Sequence, residues 1–145
     1  MWATFDDSEF PFIRVKLTGK IQNNVDFCNF TTTWDSYNLR RSEYVFLFDA
    51  REVGNVSIKY AFKMASFIKE LKRKEQYLKS SIIIVENKYL RFLLNLIFKL
   101  QKPVADVYLT RDSSDKHIET LRSVIYGGYG YDLSQVTVVK SYRKS

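Results

Sequence analysis

The sequence predicts a single α/β domain built on an open, mainly parallel β-sheet of four or five strands with flanking helices. Three observations support this class. Apolar runs of strand length occur at 44–48 and 81–85, as is typical of strands buried on both faces of a parallel sheet. Segments with apolar residues at helical spacing lie between such runs. Strands and helices therefore alternate, and this alternation favours a parallel sheet covered by helices.

In the first half of the chain, residues 12–18 alternate between apolar and polar side chains, which predicts a half-buried strand. From Asn24, aromatic residues recur at helical spacing and predict a helix. The apolar run 44–48 predicts a buried strand that stops at Asp49 and leads into a loop at 50–56. Ser57 is the expected N-cap of the next helix, because its hydroxyl could accept a hydrogen bond from a free backbone N–H group.

In the second half, residues 81–85 predict a buried strand, and residues 89–100 predict a helix that is apolar nearly all round. Residues 104–110 predict the next strand. A further helix is expected to be capped by Ser113 or Ser114 and to stop at a glycine pair.

One domain is expected over residues 1–145, with a core of about 10–127, since a chain of this length suits a single core. Residues 128–145 are either a tail or an added strand.

The charge of the chain is uneven. Residues 1–58 carry 6 basic and 8 acidic side chains, whereas residues 59–145 carry 17 and 8. A basic half suggests an anionic partner such as a phosphoinositide, a nucleic acid or an acidic protein face, or a simply solvated helix surface. Nucleic acid is not expected, because no motif of a known nucleic-acid reader occurs.

The helix at 89–100 is too short and too charged to span a membrane, so a transmembrane protein is not expected. The amino-terminal residues lack the features of a secretory signal. Cys28 is the only cysteine, which fits a reducing compartment, and a cytoplasmic location is expected. Within its helix, Cys28 is expected to behave as a small buried apolar side chain.

Residues with catalytic or metal-binding chemistry are scarce. His117 is the only histidine and is expected at the surface of a helix. One cysteine and one histidine do not supply a common zinc site. The glycines at 127–130 follow a helix rather than a strand, so they do not form a dinucleotide fingerprint. The sequence therefore predicts a non-enzymatic protein without catalytic residues, cofactor or metal.

Two features remain as candidate binding residues. Asp49 and Arg51 follow a buried strand, and open α/β sheets place ligands at the carboxyl ends of strands. The helix at 89–100 has more apolar surface than one sheet contact requires. One set of its apolar side chains is expected to cover the sheet, at positions 89, 92, 93, 96, 97 and 100. The surplus apolar side chains are then Leu90, Leu94 and Phe98. They are expected to form a partner interface, a lipid groove or a dimer contact, unless the basic tail or the first ten residues fold over them.

The chain resembles the STAS domain in the segments VKLTGKI (15–21) and YVFLFDAREVGNVS (44–57). In the antagonists of that family, the following helix begins with Asp-Ser-Ser-Gly and carries a serine whose phosphorylation switches binding. Aligned from Asp49, this motif falls on residues 57–60, which read Ser-Ile-Lys-Tyr. The switch serine is therefore absent, and Ser57 is left with the capping role.

A second resemblance, over about 60 residues, is to CRAL-TRIO lipid-binding domains. The segment FDAREVG (48–54) is similar to their Asp-x-x-Gly strand end, with one extra residue before the glycine. Residues 82–104 are similar to the strand and helix that follow, with Asn87 and Tyr89 near the family's asparagine and aromatic residue. Lys88 stands where the family has proline, and the family's amino-terminal helical region has no counterpart.

Both resemblances imply the same fold and differ in function. The leading hypothesis is a regulatory or structural interaction module. It would bind a protein partner or a second copy of itself through the helix at 89–100 and the loop at 50–57. Its expected binding residues are Asp49, Arg51, Ser57, Tyr89, Leu90, Leu94 and Phe98. The alternative is a protein that binds a lipid or another small hydrophobic ligand.

Overall fold

The structure of the protein is a computed structural model that describes residues 2–21 and 23–142. Ten elements follow one another in this part of the chain. They are β1 (Ala3–Glu9), β2 (Phe12–Gly19), α1 (Asn24–Asn38), β3 (Tyr44–Val53), α2 (Lys59–Leu71), β4 (Leu78–Ile84), α3 (Lys88–Leu100), β5 (Asp106–Thr110), α4 (Asp115–Ile125) and β6 (Thr137–Val139).

All six strands form one mixed sheet in the order β1-β2-β3-β4-β5-β6. The four central strands β2 to β5 are parallel, and β1 and β6 pair antiparallel at the two edges. The predicted α/β class is confirmed, whereas the predicted count of four or five strands is wrong. The sequence prediction missed β1, because an edge strand buries few side chains and this one carries three acidic residues. Strand β6 shows that 128–145 includes an added strand; residues 143–145 lie outside the described residues.

The helices divide unequally between the two faces of the sheet. Side chains of α1, α2 and α3 join one core cluster, and α4 packs into a second cluster on the opposite face. Right-handed crossovers between parallel strands taken in sequential order place every connecting helix on the same face. Helix α4 connects β5 to the antiparallel strand β6, so the rule for parallel crossovers does not apply to this helix. Helix α4 covers the other face of the sheet.

An aromatic cluster holds α1 on the sheet. The Trp34 ring lies 4.9 Å from the Phe46 ring, 5.5 Å from Phe48 and 5.5 Å from Phe67, measured between ring centroids. These contacts outweigh the weak helix propensity of the three threonines that precede Trp34. Cys28 lies on the outward side of α1 and is exposed, so the prediction that it is buried is wrong.

Strand β3 runs four residues beyond Asp49, where the sequence prediction ended it. Its extension pairs with the end of β2, placing Glu52 opposite Thr18 and Val53 opposite Gly19. The Gly54 N–H donates to the Gly19 carbonyl at 2.7 Å and closes the pairing. The predicted loop at 50–56 is therefore wrong for residues 50–53, since backbone pairing with a neighbouring strand leaves no sign in a local pattern.

The helix caps differ from the sequence prediction at α2. Ile58 occupies its N-cap position without a side-chain hydrogen bond, so the prediction that Ser57 caps this helix is wrong. The Ser57 hydroxyl oxygen lies 3.4 Å from the backbone nitrogen of Lys59, a weak local contact. Helix α3 is capped by Asn87, and Ser114, one of the two predicted serines, caps α4.

The two cap geometries predict different stability effects. Asn87 Oδ1 accepts hydrogen bonds from the backbone nitrogens of Tyr89 at 2.8 Å and Leu90 at 3.1 Å. We expect Asn87→Ala to lower the free energy of unfolding by about 1 kcal/mol and Ser57→Ala to lower it by less than about 0.5 kcal/mol. Urea denaturation of both variants measures the difference. A larger loss for Ser57→Ala would contradict this assignment of caps.

Candidate functional site

The polar cluster that was predicted to follow β3 lies within this strand and is a closed ion pair. Arg51 donates from Nε to Asp49 Oδ1 at 2.9 Å and from a terminal nitrogen to Oδ2 at 2.7 Å. Its other terminal nitrogen donates to the Ser113 hydroxyl at 2.9 Å. The hydrogen bonds from Arg51 hold the pKa of Asp49 below its usual range. Both oxygens of this carboxylate are engaged by one guanidinium, so the cluster can tie β3 to the loop before α4 but is poorly suited to take up a proton.

A second polar group lies at the end of β5, which is separated from β3 by β4. His117 Nε2 lies 2.8 Å from the Thr110 hydroxyl oxygen, and His117 Nδ1 lies 3.8 Å from Asp112 Oδ2. The His117 side chain is only 15% exposed, so the prediction of a surface histidine is wrong. Thr110 is almost completely buried. A substrate has no access to the hydroxyl, and the contacts secure the turn between β5 and α4.

An apolar cavity lies between the sheet and the layer formed by α1, α2 and α3. Its volume is about 140 Å³. Side chains from the four strands β2 to β5 and from all three helices line it, and nearly all of them are aliphatic or aromatic. Ser81 on β4 contributes a hydroxyl group to this lining. Lining residues such as Ile21 and Met64 are only half-buried, so the cavity approaches the surface of the protein.

The buried face of α3 differs only in part from the predicted one, because Leu93 and Ile97 are buried as expected. Leu90, Leu94 and Phe98, expected to be left over, pack against the core and line the cavity. Phe92 and Leu100, expected to cover the sheet, are 53% and 45% exposed. The sequence held the missing signal, because the polar residues Lys88, Arg91, Asn95 and Lys99 recur at helical spacing and mark the outward side of α3.

The other predicted binding residues lie apart from the cavity walls. Ser57 is exposed just before α2. Tyr89 is 43% exposed, and its hydroxyl donates to the Val56 carbonyl at 3.0 Å, which joins the beginning of α3 to the loop before α2. Five of the seven predicted residues therefore fall into two groups, and Ser57 and Tyr89 belong to neither. Leu90, Leu94 and Phe98 meet at the cavity, whereas Asp49 and Arg51 form the ion pair.

Sequence reasoning missed the aromatic part of the cavity wall. Trp2 from the segment before β1 and Trp34 from α1 both line it, together with Phe27, Phe30 and Phe48. The unusually high aromatic content of 16% was the available signal. It indicates a large core but does not indicate that rings from distant segments leave a gap between them.

Comparison with protein-family models, curated proteins and solved structures found no match. The resemblances to STAS and CRAL-TRIO domains therefore stay predictions. Across residues 2–21 and 23–142, no three histidine, cysteine or acidic side chains are grouped so that they could hold a metal ion. None of the helices in that part of the chain has the length and apolar character needed to cross a bilayer.

Proposed function

We propose that this protein binds a small apolar molecule in the cavity between the sheet and helices α1 to α3. The observation that carries this proposal is the volume of about 140 Å³ enclosed by an almost wholly apolar lining. Dry cavities of about 150 Å³ lined by Leu, Ile and Phe accommodate a benzene-sized ligand. The ligand expected here is one aromatic ring or the end of an acyl chain, since a whole diacyl lipid is too large.

The chemistry of the lining favours an uncharged ligand. Ser81 lines the cavity among aliphatic and aromatic side chains, and a charged group placed there would lose its hydration without gaining a partner of opposite charge. Burying about 200 Å² of ligand surface would contribute about 5 kcal/mol before the cost of association. That gain alone would correspond to a dissociation constant of about 0.2 mM, and the cost of association weakens it, so a ring-sized probe is expected to bind in the range of about 1 mM or above.

Tryptophan fluorescence provides a direct test, because Trp2 and Trp34 are the two tryptophans of the chain and both line the cavity. Iodobenzene serves as the probe, since its heavy atom quenches an indole ring in contact with it. We expect saturable quenching in the concentration range given above. A linear response, equal to that of free tryptophan in buffer, would contradict binding in the cavity.

A pair of matched variants separates cavity binding from general effects on the core. Ala61 lines the cavity, and Ala65 is buried one turn later on α2 outside the lining. Ala61→Leu should fill the gap, abolish saturable quenching and stabilise the fold by about 1 kcal/mol. Ala65→Leu should overpack a filled site and lower stability by about 1–3 kcal/mol, while the folded fraction still binds the probe. Equal quenching by the Ala61→Leu protein would contradict the proposal.

The natural ligand can be sought by native mass spectrometry after gentle purification, where a bound molecule adds its mass to that of the chain. The interaction module predicted from the sequence stays a prediction. Its basis was the surplus surface of Leu90, Leu94 and Phe98, and these side chains instead line the cavity. Their position supports the ligand-binding alternative, for which no catalytic group is required.

A further inference from the structure

Helices α2 and α3 lie side by side, and contacts at both ends hold them together. At the amino-terminal ends, the Tyr89 hydroxyl donates to the carbonyl of Val56. At the carboxyl-terminal ends, Lys72 Nζ donates to Gln101 Oε1 at 3.0 Å. The outer surface along this contact, from residue 58 to residue 100, is called the α2–α3 seam below.

The seam exposes an unusual number of large apolar side chains. Phe62 on α2 is 51% exposed and Phe92 on α3 is 53% exposed. The Tyr89 and Phe92 rings stack with their centroids 6.4 Å apart and form an aromatic ledge on α3. The full set of exposed large apolar residues on the seam is Ile58, Phe62, Tyr89, Phe92 and Leu100.

Lysines surround these apolar groups without acidic partners. Lys59, Lys69, Lys88 and Lys99 are all exposed. Among the residues that the structure describes, no carboxylate lies within ion-pair distance of any of the four. Helix α3 contains no acidic residue, and the one acidic residue of α2 pairs with a neighbouring arginine. The seam is therefore apolar at its centre and positive around it.

We propose that the α2–α3 seam docks on the surface of an anionic lipid bilayer. Aromatic rings enter the interfacial region of a bilayer, while lysine stems extend so that their ammonium groups reach anionic headgroups. Each such lysine strengthens partitioning about fivefold. Flexible lysines and exposed rings need no shape-matched partner, which favours a fluid surface over an acidic protein. This inference does not depend on a ligand in the cavity.

Flotation with vesicles tests the inference directly. We expect binding to vesicles of phosphatidylcholine and phosphatidylserine in equal parts, and little binding to phosphatidylcholine alone. The variant Lys88→Gln/Lys99→Gln should weaken binding on the order of twentyfold, because two charges are removed. The matched control is Arg111→Gln/Lys116→Gln, which removes two exposed charges near α4 on the opposite face of the sheet and should leave binding unchanged.

The apolar part of the seam needs its own variants. Phe62→Ser/Phe92→Ser should reduce binding at least tenfold, whereas Tyr129→Ser, at a residue that is 93% exposed elsewhere, should not. Absence of vesicle binding, or equal binding to both kinds of vesicle, would overturn the inference. Equal losses for the seam variants and their controls would also overturn it. Binding to soluble polyglutamate but not to vesicles would indicate an acidic protein partner and reject the bilayer.

Discussion

The double variant Leu94→Glu/Phe98→Glu should unfold roughly 10 °C below the wild-type protein, a shift that corresponds to a loss of about 4 kcal/mol. Both side chains pack against the main core cluster and line its cavity. Glutamate at these positions loses apolar contacts and places two carboxylates in a region without basic partners, which costs several kcal/mol. A domain of this size has only about 5–15 kcal/mol of stability. Thermal denaturation followed by circular dichroism measures the shift.

The matched control for this variant is Phe92→Glu/Asn95→Glu, which adds the same charge to the exposed side of α3. Its melting temperature should stay close to that of the wild type, because surface substitutions usually change stability by less than about 0.5 kcal/mol. An unchanged melt for Leu94→Glu/Phe98→Glu would contradict the buried face of α3. That result would instead support the prediction from the sequence that these two side chains form an exposed interface.

Replacing Asn38 by leucine should lower the free energy of unfolding by about 3 kcal/mol, because three hydrogen bonds in a buried site are lost at about 1 kcal/mol each. Asn38 is 5% exposed at the end of α1. Its Nδ2 donates to the Glu75 carbonyl at 2.8 Å, and its Oδ1 accepts from the Tyr77 backbone nitrogen at 3.0 Å and from the Tyr44 hydroxyl at 3.4 Å. Leucine has a similar size but would leave these groups without partners.

Urea denaturation is the measurement, and Asn29→Leu is the control. Asn29 lies on the exposed side of the same helix, so its replacement should be nearly neutral. Equal stability of Asn38→Leu and wild type would mean that water satisfies the groups around Asn38, and that the link between α1 and β4 is weaker than the distances indicate.

Local sequence patterns were sufficient for most elements of the fold. The alternation at 12–18, the apolar runs at 44–48 and 81–85 and the serine cap at 113 or 114 concern neighbours in sequence, and the structure contains the corresponding elements. Hydrophobic period and capping chemistry act over a few residues, so they can be recognised without knowledge of the rest of the chain.

Features that depend on distant partners were missed. Strand β1 forms by pairing with β2, and the last residues of β3 are in a strand because the end of β2 lies beside them. The acidic residues of β1 and the polar residues of 49–52 do not show a strand pattern. His117 is likewise partly buried rather than at the surface, because its ring contacts the hydroxyl of Thr110 on β5, seven residues earlier in the chain.

The sequence by itself determined the α/β class, the strongly apolar character of α3 and the excess of positive charge in the second part of the chain. Only the tertiary structure decided that β1 joins the sheet and that β3 continues past Asp49, because both depend on pairing with β2. The same is true of the cavity. Its wall brings Trp2, Trp34 and Phe98 together from three distant segments, and a gap between packed side chains depends on how their shapes meet rather than on any of the local patterns that encode the helices and strands.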